Sequence, residues 1–103
     1  MERPGSLISV SSFKKLLIEL HDRRPDICVR VRLLGEMWVP NFLSIFHITE
    51  KGALFNDSPR NRMIHIGDLS NVMQFEIDRP FQGFQPFFHY EVQPLLDRKP
   101  VEA

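Results

Sequence analysis

The hydrophobic period of this chain changes at Pro25, and that change limits what the chain can fold into. Before it, Phe13, Leu16, Leu17 and Leu20 recur at intervals of three and four, the spacing that gathers side chains on one stripe of a helix. After it, Ile27, Val29, Val31 and Leu33 alternate with Cys28, Arg30, Arg32 and Leu34, the period of a strand with one buried face. Proline lacks the amide proton a helix needs and clashes with the preceding turn, so the helix ends before it. Ser11 or Ser12 can cap the first free amides, and Arg23 and Arg24 suit the negative end of the dipole; a helix is predicted at about 12–23.

The remainder is punctuated for short strands. Gly35-Glu36 offers a turn, and residues 37–49 are rich in β-branched and aromatic residues, with Pro40 as a bend, long enough to fold over a barrel corner. Glu50-Lys51-Gly52 reads as a hairpin turn into a strand at 53–55, and Asn56-Asp57-Ser58-Pro59 as turn formers before a strand at 63–66. In residues 72–78, Met73, Phe75 and Ile77 alternate with Gln74, Glu76 and Asp78, giving one apolar and one acidic face. Arg79-Pro80 breaks that strand, residues 81–86 read as a loop, and residues 87–92 as a last strand. A polar tail, expected to be disordered, follows at 97–103, which leaves one domain over 1–96. The expected fold is mainly β with one N-terminal α-helix, in a small, strongly bent antiparallel sheet or partly open β-barrel that the helix caps.

One helix followed by about five strands resembles the layout of SH3-like and Sm-like barrels. The RNA-binding signature of Sm proteins has an Asp and an Asn at the turn after its second strand and an Arg-Gly pair near its fourth. This chain has Asn56-Asp57 in a comparable hairpin region and no Arg-Gly pair, so RNA binding does not carry over. The stretch Asp68-Leu69-Ser70-Asn71-Val72-Met73 resembles the Asp-x-Ser-x-x-Gly half of the PilZ family, small β-barrels that bind cyclic di-GMP. Met73 stands where that family has Gly, and its two arginines separated by three residues have no counterpart; Arg60 and Arg62 are spaced otherwise. Asp68 and Ser70 read instead as turn residues at a strand start.

Little points to catalysis. With Cys28 the only cysteine, an intramolecular disulfide is excluded, and a reducing, cytoplasmic location is expected. The first residues lack the apolar core of a signal peptide, and the charge-free run at 37–49 is too short to span a bilayer, so no membrane association is expected. Cys28 shares a strand face with Arg30 and Arg32, whose charge would favour the thiolate, yet no local base or oxyanion site accompanies it. His21, His47, His65 and His89 fall in none of the short spacings of zinc sites, although neighbouring strands could bring His47 and His65 together; no metal and no cofactor are expected.

Binding is the stronger signal. Five of the ten residues from 81 to 90 are aromatic, more than one strand face can bury, so some are expected at an interface. Trp38, Phe81, Phe84, Phe87 and Tyr90 are the candidate contacts for a protein partner or a second copy in a homo-oligomer. Thirteen basic residues balance thirteen acidic ones, but residues 1–34 carry seven basic and four acidic groups and residues 35–103 six and nine. That separation allows head-to-tail association as well as balance within one chain. Lys14, Lys15, Arg23, Arg24, Arg30 and Arg32 form the candidate surface for the alternative, single-stranded nucleic acid, against which the zero net charge weighs.

Overall fold

A computed structural model describes residues 7–93. The polar tail expected at 97–103 lies outside the described residues. Strand β1 (Leu7–Ser9) runs directly into helix α1 (Val10–Arg23), and β2 (Val29–Leu33), β3 (Ser44–Ile48), β4 (Ala53–Asp57), β5 (Arg62–Ile66), β6 (Val72–Ile77) and β7 (Tyr90–Gln93) follow. The helix begins two residues earlier than its spacing predicts, because Ser9 rather than Ser11 or Ser12 is its cap. The Ser9 hydroxyl accepts the Ser12 amide proton at 3.1 Å. Phe13, Leu16, Leu17 and Leu20 are its buried residues, as their spacing requires.

The strands form two sheets that do not close into a barrel, one in the order β1-β7-β6-β2 and one in the order β3-β4-β5. Beside the expected antiparallel pairings, β1 pairs with β7 in parallel. Parallel neighbours need a long connection between them, and nearly the whole chain separates these two strands. Residues 38–43 carry the chain from one sheet to the other. Val39 donates to the Val31 carbonyl at 2.9 Å, and Leu43 and Val29 exchange both main-chain bonds, so this stretch flanks β2 before becoming β3. The long strand expected over 37–49 is therefore regular only in its last part.

The two sheets and the helix enclose a single core. Val29, Val31, Phe75, Ile77, Tyr90 and Val92 come from the first sheet and Ala53, Phe55 and Ile66 from the second; all are buried with the helical stripe. In β6 the predicted alternation slips by one. The β2–β6 register shifts between Arg32 and Leu33, so Leu33 faces Val72, Val72 takes the inner position, and Met73 is the extra residue of a bulge.

The hairpin turn before β4 depends on Gly52. Its amide proton is held by the Thr49 hydroxyl at 2.9 Å, and a Cβ placed there would lie 1.9 Å from the Ile66 carbonyl oxygen. The obstacle is backbone, which cannot rotate away. Gly52→Ala is expected to lower the unfolding free energy by at least about 2 kcal/mol, measured by urea denaturation.

Candidate functional site

The outer face of the first sheet holds a part-buried ion pair with aromatic rings around it. The β2–β6 register sets Arg30 opposite Glu76, and both side chains point away from the core. Arg30 Nε donates to Glu76 Oε2 at 2.6 Å, and Nη2 reaches the same oxygen at 2.5 Å. Glu76, expected on a solvated acidic face, is instead buried, because rings close over the salt bridge. A carboxylate taken out of water loses its hydration, and an arginine fork aimed at it is the arrangement that offsets most of that loss.

Two segments supply the rings, residues 38–42 and residues 87–89. A turn at Gly35, with φ of 75° and a Glu36 to Leu33 hydrogen bond of 2.9 Å, folds the chain back along β2 and brings in Trp38. The Arg30 guanidinium carbon lies 4.9 Å from the centre of Trp38 and 5.7 Å from that of Phe42, within the range of cation–π attraction. Trp38 packs on His89 at 4.6 Å, and His89 Nε2 lies 3.5 Å from Glu76 Oε1. Phe87 meets Phe42 edge to face at 5.8 Å. Beside this cluster, Arg32 donates to Gln74 at 2.7 Å and Gln74 to Glu91 at 2.8 Å, a polar row across three strands.

Of the aromatic candidates, Trp38 and Phe87 belong to this cluster and the others do not. Tyr90 and Phe81 are buried, and Phe84 is half-buried against the core, so the aromatic surplus is mostly absorbed inside. Tyr90 stacks on Phe75 at 5.3 Å, receives Phe84 and Phe88 at 5.0 and 4.7 Å, and accepts the Gln85 amide proton at 2.7 Å through its hydroxyl. Phe81 and Phe84 bond to each other around Gln82 and Gly83, both with positive φ, the pattern of a type I′ turn. Phe42 was not singled out by its sequence position; its neighbour Leu43 is the one that enters the core.

The candidate cations are dispersed and mostly engaged. Lys14 donates to the Glu50 carbonyl, Arg23 pairs with Glu19 at 3.0 Å, Arg24 with Asp26 at 3.0 Å, and Arg30 and Arg32 are held as described. The hydrogen bond from Arg24 holds the Asp26 carboxyl below the usual carboxylate range. Lys15 is exposed on the helix. The two oppositely charged halves of the sequence thus meet within one molecule, at Arg30 and Glu76.

Two other expectations change. His47 and His65 both flank Leu54 on the outer face of the second sheet, but β4 runs between their strands, so they do not pair. Among the described residues, no group of three or more His, Cys, Asp or Glu side chains is placed to hold a metal ion. Cys28 does not gain thiolate character from its arginines. Its half-buried thiol is pushed above its ordinary value, first by desolvation and then by the Asp78 carboxylate, which accepts the Cys28 amide proton at 2.9 Å. Among the described residues, no helix is long and apolar enough to cross a membrane.

No protein-family model matches this chain. No curated protein and no solved structure matches it either. Its function has to be argued from its own residues.

Two outcomes are expected. Glu76→Gln leaves the Arg30 guanidinium beneath its rings without a counter-charge and should cost about 1–3 kcal/mol in chemical denaturation. Cys28 should react with iodoacetamide at pH 7.5 more slowly in the folded protein than in urea. Because its folded value stands above its unfolded one, the stability linked to the protonated thiol is intact below about pH 8.5 and is lost as pH rises through the folded value.

Proposed function

We propose that this protein is a non-catalytic binding module that engages another protein chain through Trp38, Phe42 and Phe87. The observation that carries this is Phe87. It combines two unfavourable features: a φ of 63° and a large apolar side chain in a residue that is 62% exposed. A non-glycine residue in the left-handed region is disfavoured by about 1–2 kcal/mol, and a bulky aromatic is an uncommon occupant. The Phe87 amide is nonetheless fixed by a 2.8 Å hydrogen bond to the Ile77 carbonyl, which holds the ring outward at the end of β6. Strain kept in place to present a large apolar group to solvent is a mark of a binding position.

The neighbours of Phe87 suit protein contact. Tryptophan and arginine dominate the energetics of protein interfaces, and here the pair is already ordered by Glu76, so little side-chain freedom is lost on binding. Met37, beside Trp38, is 86% exposed and extends the apolar surface. Binding of single-stranded nucleic acid has less support, since most of the candidate cations are taken up by intramolecular partners.

A photoreactive phenylalanine analogue at position 87, compared with one at Lys15, tests the proposal in the cells that make this protein. A discrete protein adduct from position 87 and none from position 15 is expected, and it should persist at high salt. Adducts to nucleic acid alone, or none, would overturn it. Phe87→Asn should abolish capture of that protein while keeping the unfolding free energy within about 1 kcal/mol of the parent, because relief of backbone strain offsets the lost contact with Phe42.

A further inference from the structure

The strand edges of this molecule are not equally protected. The outer edge of β2 is occupied by Val39 and Leu43, and β3 is interrupted by a register shift between Ile45 and His47. Lys14 of the helix also reaches the Glu50 carbonyl just beyond β3. Among the described residues, strand β5 has none of these devices. It is the outermost strand of its sheet and pairs with β4 through five consecutive positions without a shift. It contains no proline, and its only charged residue, Arg62, is engaged by Asp57 at 3.3 Å. Natural edge strands are usually blocked by charge, proline or a bulge, because an open ladder invites another strand.

The polarity of the open groups can be assigned. The Ile66 carbonyl oxygen lies against Gly52 on the β4 side. In an antiparallel pair the amide and carbonyl of one residue point the same way and alternate along the strand. Arg62, Ile64 and Ile66 therefore face β4, and Met63 and His65 direct their main-chain groups to the open edge. We infer that this edge pairs with β5 of a second copy, antiparallel, about a two-fold axis at Ile64. In that register Met63 faces His65 of the second copy and each such pair exchanges both main-chain bonds, while every residue of β5 has a partner.

Charge favours the same arrangement. Arg60 precedes β5, Asp68 follows it, and both are exposed. Antiparallel pairing about Ile64 brings the turn that carries Arg60 in each copy, Ser58–Arg60, to the end of the other copy's β5 that Asp68 follows, whereas parallel pairing would bring like ends together. Asp68 already accepts the Ser70 amide proton at 3.0 Å, so its carboxylate is fixed at the strand end. The contact is isologous and closes after two copies, and it lies on a different sheet from Trp38 and Phe87.

Sedimentation velocity on the full chain, from roughly 1 μM to 1 mM, tests this. A monomer–dimer equilibrium is expected whose Kd rises about tenfold in Arg60→Glu, where carboxylates oppose each other, and returns toward the parent value when Asp68→Asn is added. Phe87→Asn should leave it unchanged, which separates this edge from the aromatic surface. With Cys28→Ala as background, Ile64→Cys should oxidise to a covalent dimer, since residues facing each other at such a position have Cα atoms about 4.5 Å apart, within disulfide range; Lys15→Cys should not. A monomer throughout, a dimer indifferent to Arg60→Glu, or a folded Ile64→Cys variant that fails to cross-link overturns the assignment.

Discussion

Arg30 and Glu76 meet across β2 and β6, and the register that joins them also turns Val31 and Phe75 into the core. Each residue of a strand faces opposite its neighbour, so a slip by one would bury the charges and expose the apolar side chains. The bulge at Met73 keeps both halves of β6 in phase despite the extra residue: Val72 packs inward before it and Phe75 and Ile77 after it. Core and outer surface are thus two consequences of one strand pairing. Trp38, Phe42, Phe87 and His89 then assemble around the ion pair on the outer face, and Phe13 packs against Phe75 at 4.6 Å on the inner one.

The division of the aromatic residues follows from the same geometry. Phe75 lies at the centre of a cluster with Phe13, Phe84 and Tyr90, which is how a chain of 103 residues with one short helix fills its interior. The loop between β6 and β7 is held at both ends, by the Phe87 amide on Ile77 and by the Tyr90 hydroxyl on Gln85. Left-handed Phe87 is itself one of those anchors, so its backbone is held in place. Its exposed ring is therefore a fixed feature of the surface, suited to a partner that finds it already oriented.

The aromatic surface and the β5 edge differ in chemistry. Rings and a neutralised guanidinium offer apolar contact with few groups to desolvate. The β5 edge offers main-chain hydrogen bonds, with a charged residue at either end to set direction. On the two proposals above, self-pairing and binding of a different protein would not compete, because the surfaces lie on different sheets.

Much of the local structure was legible in the sequence. The period of 3.6 placed the helix, the period of two placed β2 and β6, and turn residues placed β4 and β5, because each signal depends on neighbours a few positions apart. The shift of the last strand to Tyr90–Gln93 followed from strand pairing that no local pattern shows. So did the burial of Glu76, the recruitment of Phe42, the division of Phe81 and Tyr90 from Phe87, and the separation of His47 from His65. Each depends on which strands become neighbours and in what register, and no local pattern carries that information. The sequence by itself determined a helix followed by short strands around an apolar core; only the tertiary structure decided which charges are paired, which rings face solvent and which strand edge stays open.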